Sequence, residues 1–228
     1  MEAIILAGGL GRRLREVVKD VPKPMAKIGS KPFLEFILEK LDKDKFNHIV
    51  LSTGYLSHKI KSYFGNRYKN IRIDYSSEDF PLGTGGAIKK AIDLIEGDYF
   101  YVLNGDSFVD IEIEKIEKMF KDTNKQIIVG TELKNISRYG NIIESNGKVI
   151  SFNEKTKSGK GIINAGCYVF RKDVFKNYEL NQSFSIEKDF FPKLILKEEI
   201  LLFITKSKFI DIGTPEDYER AFLFLSNK

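Results

Sequence analysis

Glycines followed by arginines stand close to the start of the 228-residue chain. Gly8, Gly9 and Gly11 come directly after a short apolar run, and two arginines follow, the second of which is Arg13. Glycine lets the backbone approach a ligand closely, and backbone amides and guanidinium groups both bind phosphate oxygens. The segment therefore predicts a phosphate-binding loop. A flexible turn with solvated arginines is the alternative interpretation of a lone glycine cluster.

Two common nucleotide-binding motifs do not fit this loop. The dinucleotide fingerprint needs a third glycine where Leu14 stands, and a Walker A sequence occurs nowhere in the chain. A second glycine-rich loop, Gly83-Thr84-Gly85-Gly86, opens a predicted helix. Helix N-termini attract anions and polar ligand groups, so this loop is a second candidate for ligand binding. A simple capped loop, with Thr84 as the N-cap, is the alternative.

Two aspartates follow predicted strands. Asp106 comes after the apolar run 99–103, and Asp211 closes the apolar run that begins at Phe209. An aspartate at the carboxyl end of a parallel strand lies at the edge where open α/β sheets bind ligands, and it can hold Mg²⁺. A turn or a strand-end cap is the other interpretation of each residue. The sequence does not show whether the two carboxylates meet in space.

Other side chains that could take part in chemistry give weaker signals of a functional site. Prolines flank Lys23 on both sides, which presents this lysine on a rigid segment. A simply solvated lysine is the alternative interpretation, and it applies to Lys155 in the same way. Cys167 lies within an apolar run and is predicted to be a buried small hydrophobic residue. His48 and His58 have no spacing that suggests a site, and we predict structural roles for both.

Composition excludes several classes of protein. The chain has 42% hydrophobic and 30% charged residues, which rules out disorder along its whole length. One cysteine excludes a disulfide framework and a cysteine-based zinc site. With only two histidines, a metal would have to be held by carboxylates, which points to a hard cation such as Mg²⁺. The net charge of +5 is spread among acidic residues, so it argues little for nucleic-acid binding.

Membrane and secretion signals are absent from the sequence. No run approaches the roughly 18 apolar residues that span a bilayer. The first residues lack a basic region and reach glycine too soon for a signal peptide. We therefore predict a cytoplasmic protein with no membrane partner and no nucleic-acid partner.

The elements that must position these residues alternate in the first half of the chain. Apolar runs predict strands at 3–7, 48–53, 71–75 and 99–103, and helical spacing of apolar residues predicts helices at 33–41, 55–64 and 84–95. Strands that alternate with helices favour βαβ units and a mostly parallel sheet. The candidate ligand-binding residues above follow the ends of these strands.

The second half predicts antiparallel pieces added to that α/β unit. Strands at 140–144 and 148–152 flank Asn146-Gly147, which is typical of a type I′ hairpin. Further strands are predicted at 162–170, 200–205 and 209–212, with helices at 185–197 and from Pro215, where Thr214 is the predicted N-cap. We predict an α/β fold with a mixed, mostly parallel sheet and a small antiparallel lobe, forming one domain over 1–228.

Taken in order, these motifs resemble the sugar-phosphate nucleotidyltransferase family over nearly the whole chain. The matching segments are Leu6-Ala7-Gly8-Gly9-Leu10-Gly11-Arg12-Arg13-Leu14, Lys23-Pro24-Met25, Leu82-Gly83-Thr84-Gly85-Gly86-Ala87, Asn104-Gly105-Asp106, Glu154-Lys155, Asn164-Ala165-Gly166 and Asp211-Ile212-Gly213-Thr214-Pro215. The resemblance implies a Rossmann-like nucleotidyltransferase core with a sugar-binding lobe. It departs from the family at Thr156, where relatives commonly have proline. The short sequence after the Asp211 motif leads us to expect no C-terminal β-helix.

The resemblance also implies roles for individual residues. The implied nucleotide-binding residues are Leu6, Ala7, Gly8, Gly9, Gly11, Arg13, Gly83, Thr84, Gly85 and Gly86. The implied sugar-phosphate-binding residues are Asn104, Glu154, Lys155, Asn164 and Gly166. Asp106 and Asp211 are the implied Mg²⁺ ligands. The implied catalytic residues are Arg13, Lys23, Asp106, Lys155 and Asp211, with Arg13 stabilising the departing pyrophosphate and Lys23 close to the α-phosphate.

The implied reaction couples a nucleoside triphosphate with a sugar 1-phosphate and releases pyrophosphate. The segment 74–87 resembles a short branch of the family that includes guanylyltransferases for D-glycero-D-manno-heptose 1-phosphate and for mannose 1-phosphate. GTP and the heptose phosphate are thus the first expectation, for synthesis of surface glycans such as capsule or lipopolysaccharide. Mannose 1-phosphate, or uridylyl or cytidylyl transfer to another hexose phosphate, stays open. A homo-oligomeric state also stays open, and so does the alternative of a non-catalytic nucleotide-sugar sensor.

Overall fold

Strands and helices alternate in the first half of the computed structural model, which describes residues 1–9, 14, 18, 20–153, 159–178 and 182–225. The elements up to residue 104 are β1 (Glu2–Leu6), β2 (Lys27–Ile28), β3 (Lys31–Pro32), α1 (Phe33–Lys43), β4 (His48–Thr53), α2 (Ser57–Phe64), β5 (Arg67–Tyr68), β6 (Ile71–Ser77), α3 (Gly83–Ala91) and β7 (Tyr99–Asn104). Strands β1, β4 and β7 are apolar without alternation because the sheet buries both of their faces. The predicted strands and helices of this half are confirmed, with bounds that differ by a few residues.

The second half contains β8 (Ser107–Val109), α4 (Ile113–Thr123), β9 (Ile127–Leu133), β10 (Asn141–Ser145), β11 (Lys148–Asn153), β12 (Gly161–Arg171), a π-helix (Ile186–Phe190), α5 (Phe191–Lys197), β13 (Leu201–Thr205), β14 (Phe209–Asp211) and α6 (Pro215–Leu225). Asn146 and Gly147 have φ angles of 52° and 72°, which confirms the type I′ turn between β10 and β11. The Asp217 amide donates to the Thr214 hydroxyl over 3.3 Å, which confirms the predicted N-cap of α6.

A ten-stranded mixed sheet joins the two halves of the chain, in the order β10-β11-β13-β9-β12-β7-β1-β4-β6-β5, while β8 with β14 and β2 with β3 form two separate two-stranded sheets. Strands β7, β1, β4 and β6 are parallel neighbours, and β12 joins this parallel part by pairing antiparallel with β7. The antiparallel lobe therefore continues the same sheet. One hydrophobic cluster includes residues of α1, α2, α4 and α6, and a second includes residues of α3, the π-helix and α5. The predicted α/β class with a mixed sheet is confirmed.

Two features of the second half were not predicted. No element was predicted between Asp106 and residue 140, yet β8, α4 and the central strand β9 lie there. The predicted helix 185–197 is a π-helix followed by an α-helix, and the Phe191 amide bonds back to the Ile186 carbonyl. Pro192 comes directly after Phe191 and has no amide hydrogen to donate, so the hydrogen bonds of the π-helix cannot continue. The π-helix therefore ends here and the α-helix begins. None of the described helices is long and apolar enough to cross a bilayer.

Candidate active site

The carboxyl ends of β1, β4, β6 and β7 meet at a cleft of about 640 Å³. Parallel neighbours end at the same edge of a sheet, and open α/β sheets bind their ligands there. The cleft is lined by Leu6, Gly8, Gly9, Lys23, Pro24, Ser52, Gly54, Tyr55, Glu78, Asp79, Phe80, Pro81, Gly83, Thr84, Ala87, Asn104 and Asp106. Both glycine-rich loops, Lys23 and one candidate metal carboxylate thus border one cavity.

Not every predicted site residue borders the cleft. Ala7 is fully buried, and its amide donates to the Ser52 carbonyl over 2.7 Å, so it anchors the loop from behind. Gly85 and Gly86 face away from the cavity, towards the segment around Phe184. The predicted residues Gly11, Arg13, Glu154 and Lys155 lie outside the described part of the chain.

Lys23 and Asp106 form the charged end of the cleft. The Lys23 ammonium lies 2.6 Å from Asp106 Oδ2. Lys23 begins a single 3-10 turn, Lys23–Met25, in which Pro24 and Met25 are buried. This turn holds the lysine in place, and its side chain is only 15% exposed. A cation is therefore fixed beside Asp106, at the carboxyl end of β7.

The fold brings Asp211 to the same place. Strand β14 pairs antiparallel with β8, so that Asp211 lies opposite Ser107, and the Ile212 amide donates to the Asp106 carbonyl over 3.0 Å. A Cβ atom added to Gly213 would lie 2.8 Å from Asp211 Oδ1 and 4.0 Å from Lys23 Nζ. Two aspartates from distant parts of the chain therefore approach one lysine, which the sequence alone could not show.

The two aspartates suit a magnesium ion. Carboxylate oxygens are hard ligands, and Mg²⁺ is usually bound by one or two carboxylates together with substrate phosphates and water. Among the described residues, no group of three or more His, Cys, Asp or Glu side chains could hold a metal by itself. A metal at Asp106 and Asp211 would thus need further ligands, and the phosphates of a nucleotide could supply them.

Tyr139 and Gly213 fix the orientation of the second carboxylate. The Tyr139 hydroxyl donates to Asp211 Oδ2, and the Gly213 amide donates to Asp211 Oδ1 over 2.7 Å. Burial, together with this hydrogen bond to a carboxylate, raises the pKa of Tyr139 well above its ordinary value. The phenol therefore keeps its proton and remains a donor across the physiological pH range.

An ion-pair network at Asp217 supports this part of the site. Asp217 is 1% exposed, and its carboxylate accepts hydrogen bonds from Arg138, Arg220 and Thr214. Burial alone would raise the pKa of Asp217, but the hydrogen bonds from Arg138 and Thr214 outweigh it and lower the pKa to about 2. Arg138 directly precedes Tyr139 in the chain. The network therefore connects helix α6 to the loop that contains Tyr139, the hydrogen-bond partner of Asp211.

Replacing Asp217 with asparagine is expected to lower the free energy of unfolding by about 2–3 kcal/mol at neutral pH. That is somewhat below the roughly 3–5 kcal/mol for breaking a fully buried pair, because its arginine partners are partly exposed. A lowered native pKa gives stability that is complete above the unfolded pKa and is lost as the pH falls through the native one. The difference between wild type and variant should therefore shrink between pH 4 and pH 2, as measured by urea unfolding.

The exposed Asp122 at the end of α4 provides the control for that experiment. Asp122→Asn should leave the free energy of unfolding within about 0.5 kcal/mol of wild type at each pH. A stability gap for Asp217→Asn that stays constant from pH 5 to pH 2 would contradict the ion-pair explanation.

The loop before α3 is built on Gly83. This glycine has a φ of +71°, and a Cβ atom there would lie 2.5 Å from the Phe184 carbonyl oxygen. The Gly85 amide donates to the same carbonyl over 3.0 Å, which ties the start of the helix to the Phe184 segment. The alternative interpretation, in which Thr84 is the N-cap of this helix, is wrong. The Thr84 hydroxyl instead donates to Glu187 over 2.8 Å and accepts the Ile186 amide over 2.9 Å.

Gly83→Ala is expected to destabilise the protein by more than the about 1–2 kcal/mol that a left-handed alanine alone costs. The added methyl group also meets a backbone carbonyl that cannot rotate away, so the loop must shift. Gly147→Ala is the matched control, because Gly147 has a φ of +72° but nothing lies within 4 Å of an added Cβ. Equal losses of stability in both variants, measured by thermal unfolding, would contradict this account.

A β-bulge in β12 lies beside Asn104, one of the residues that line the cleft. The pairing of β12 with β9 shifts register between Asn164 and Cys167, and Gly166 within the bulge has a φ of +71°. Asn164 accepts the Gly166 amide over 2.9 Å and donates to the Tyr168 hydroxyl over 2.7 Å. A Cβ atom on Gly166 would lie 2.5 Å from Asn104 Nδ2. The structure thus brings Asn104, Asn164 and Gly166 together.

Asn104 also has an unsatisfied polar atom. Its Oδ1 is buried and has no hydrogen-bond partner among the described residues. Buried polar atoms without partners are rare, and they often mark a place where a ligand or water binds. Cys167, by contrast, is buried as predicted, and burial raises the pKa of its thiol. His48 is held between Glu2 and Asp74, at the end of β4 away from the cleft.

Several residues that line the cleft, or that hydrogen-bond to predicted site residues, were missed at the level of sequence. Ser52 and Glu78 lie at or just after the ends of β4 and β6, where the same strand-end rule that selected Asp106 applies. Glu187 was missed because it lies in the π-helix, yet it accepts hydrogen bonds from the Thr84 and Ser185 hydroxyls. Tyr139, the partner of Asp211, lies in a segment without predicted elements.

Known proteins match this chain closely. Residues 2–228 match the family model described as nucleotidyl transferase. The D-glycero-α-D-manno-heptose 1-phosphate guanylyltransferase of Aneurinibacillus thermoaerophilus is 43% identical over 97% of this chain and 96% of its own length. The enzyme of the same name from Campylobacter jejuni is 42% identical over 96% of this chain and 97% of its own length. The crystal structure of HddC from Yersinia pseudotuberculosis, complexed with GMP-PN, has a TM-score of 0.87 and 40% identity, with 98% of both chains covered.

Proposed function

Because this chain belongs to the nucleotidyl transferase family, we propose that it transfers the guanylyl group of GTP to D-glycero-D-manno-heptose 1-phosphate, with release of pyrophosphate. The observation that carries the proposal is the 43% identity, over nearly the full length of both chains, to a heptose 1-phosphate guanylyltransferase. The cleft supports it with a fixed lysine, two neighbouring aspartates and two loops rich in glycine.

The chemistry is an in-line displacement at the α-phosphorus of the nucleotide. A phosphate oxygen of the sugar 1-phosphate forms a bond to the α-phosphorus, and the bond from the α-phosphorus to the bridging oxygen of the β-phosphate breaks. Pyrophosphate leaves with the electron pair of that bond. The attacking phosphate is already ionised at neutral pH, so no general base is required, and the cleft needs no histidine.

The protein must overcome the repulsion between two anionic reactants. We propose that Lys23 contacts the α-phosphate and stabilises the charge that spreads there in the transition state. Asp106 and Asp211 are the proposed ligands of a Mg²⁺ ion, which would neutralise phosphate charge when bound. Arg13 is proposed to bind the departing pyrophosphate, and Lys155 to bind the phosphate of the sugar.

The glycine-rich loops are the proposed nucleoside site, and the bulge in β12 is the proposed sugar site. Leu6, Gly8 and Gly9 border the cleft on one side, and Gly83 and Thr84 border it on the other. Asn104, with its unsatisfied buried oxygen, lies between the cleft and the bulge that holds Asn164 and Gly166. Glu154 is proposed to bind a sugar hydroxyl.

The continuous ten-stranded sheet supports our proposal that residues 1–228 act as one domain. The cytoplasm supplies nucleoside triphosphates, which favours that location for the proposed reaction. A nucleotide-activated heptose serves glycan assembly, so we propose a role in the synthesis of surface glycans.

The test is Mg²⁺-dependent release of pyrophosphate across a grid of substrates. GTP, ATP, CTP, UTP and dTTP are each combined with D-glycero-D-manno-heptose 1-phosphate, mannose 1-phosphate and glucose 1-phosphate. The highest kcat/KM is expected for GTP with the heptose phosphate. A higher value for mannose 1-phosphate would replace the sugar in the proposal, and a higher value for UTP or CTP would replace the nucleotide. No release from any pair by folded protein would favour a non-catalytic sensor.

A further inference from the structure

Glu187 lies between two parts of the proposed site and does not itself line the cleft. Its half-buried carboxylate uses its two oxygens in two directions. Oε2 accepts hydrogen bonds of 2.8 Å from the Thr84 hydroxyl and from the Ser185 hydroxyl. Oε1 faces the Tyr168 hydroxyl over 3.5 Å. One carboxylate therefore contacts both the loop that is proposed to hold the nucleoside and the strand β12 that carries the proposed sugar site.

On the nucleotide side, the Thr84 hydroxyl is held entirely by the segment that contains Glu187. It donates its proton to Glu187 and accepts the Ile186 amide over 2.9 Å. Thr84 also lines the cleft, at the start of helix α3. The π-helix that begins at Ile186 therefore fixes the position of a residue in the cleft wall, and the Glu187 carboxylate is its side-chain contact to that residue.

On the sugar side, the direction of each hydrogen bond is fixed. The Gly166 amide donates to the Asn164 side-chain oxygen over 2.9 Å, so the Asn164 side-chain nitrogen donates to the Tyr168 hydroxyl over 2.7 Å. The Tyr168 hydroxyl accepts there and directs its own proton to Glu187. Tyr168 is fully buried, and burial raises the pKa of its phenol well above its ordinary value, so it stays a donor. This chain of hydrogen bonds ends at Gly166, beside the cleft residue Asn104.

A carboxylate is the group that can serve both sides at once. The partners of Glu187 among the described residues are three hydroxyl groups, and all three donate to it. Both of its oxygens must therefore accept, and a charged acceptor binds hydroxyl donors more strongly than a neutral one does. A glutamine has a single acceptor oxygen, so its NH₂ group would face a donor either at Thr84 or at Tyr168.

We propose that Glu187 is a positioning residue that fixes the sugar-phosphate site relative to the nucleotide site and so aligns the two reactants. The inference rests on the proposed transfer reaction and adds a residue that touches neither substrate. In-line displacement needs the attacking oxygen within about 3.5 Å of the phosphorus, and a misplacement of about 1 Å can cost 100-fold in rate. A link between the two sites therefore acts on the rate of the reaction more than on the binding of either substrate alone.

The test uses two variants that break the same chain of hydrogen bonds. Glu187→Gln is expected to lower kcat by about 10- to 100-fold, with the Michaelis constant of each substrate within about threefold of wild type. Tyr168→Phe removes one hydroxyl, leaves the contact between Thr84 and Glu187 in place, and should give the same pattern. The double variant should be no slower than the slower single variant, because both changes interrupt one chain. Thermal unfolding verifies that each variant is folded.

Glu219→Gln is the matched control, since Glu219 is exposed on α6, and it should leave kcat unchanged. If Glu187→Gln raises only the Michaelis constant of the nucleotide, the residue merely supports the loop at Thr84, and the inference is wrong. Rate losses that multiply in the double variant, or an unchanged kcat, would overturn it too. Failure of the proposed function is distinct, because it is decided by wild type in the substrate grid. The variants are compared with whichever pair of substrates wild type converts fastest.

Discussion

Replacing Asp106 with asparagine is expected to lower kcat by about 10³-fold or more, because the variant loses a negative charge where a divalent metal is proposed to bind. The amide keeps one oxygen but binds a hard cation far less strongly than a carboxylate does. Asp106 has a side chain that is 40% exposed, so the fold should tolerate the change. Pyrophosphate release at saturating substrates measures the rate, and thermal unfolding measures the stability.

Two results decide that prediction. The control Asp122→Asn changes an exposed aspartate on α4 in the same way and should leave kcat unchanged. A rate for Asp106→Asn within about tenfold of wild type would remove this residue from the metal site. Raising the Mg²⁺ concentration adds a further readout. A weakened metal ligand should give a higher half-saturating Mg²⁺ concentration, whereas a residue with a purely structural role should not.

Lys23→Met is expected to lower kcat by about 10²- to 10³-fold, the usual loss when one preorganised group that stabilises transition-state charge is removed. Methionine keeps most of the length and the apolar stem of lysine, so packing against the 3-10 turn should survive. The variant leaves Asp106 without its cation. That carboxylate is partly exposed, so stability should fall by no more than about 1 kcal/mol.

A lysine close to Lys23 in the sequence provides the control. Lys27→Met alters an exposed lysine on β2 and should not change kcat. Lys23→Arg should recover only part of the activity, because a planar guanidinium does not occupy the space of a compact ammonium group. If Lys23→Met raised only the Michaelis constant and left kcat intact, the lysine would bind substrate without stabilising the transition state.

Local signals were enough to predict most of the parallel half of the fold. The runs that became β1, β4 and β7 are apolar and short, and each is followed by glycine or by a polar residue at the cleft. Such signals need no knowledge of distant residues. The hairpin turn is similar, because Asn146 and Gly147 adopt the left-handed conformations that this dipeptide favours.

Helix α4 and strand β9 had weaker signals in the sequence. Ile113, Ile116 and Phe120 have helical spacing and are buried in α4, although charged residues dominate the rest of that segment. The neighbouring strand β9 contains Gly130, a residue that is usually unfavourable within a strand. An added Cβ atom on Gly130 would lie 2.8 Å from the Ile162 side chain, so close packing between strands explains the glycine.

The assembly of the site was beyond local reasoning. Asp106 and Asp211 meet because β14 pairs with β8, and pairing between distant strands leaves no signature in either segment. Glu78 directly follows β6, and the position of β6 beside β4 places it in the cleft. Sequence therefore predicted which residue types the site needs, and tertiary structure decided which of them meet.

The pairing of β14 with β8 also affects the order in which the protein can become active during its synthesis on the ribosome. A nascent chain that ends before residue 209 already contains Lys23 and Asp106 but has no partner strand to bring the second aspartate to them. Contacts between distant segments also form late in folding, because their loop-closure entropy must be overcome first. Chains that end before β14 should therefore lack the proposed metal site, and we expect no consumption of nucleotide before that strand has been synthesised.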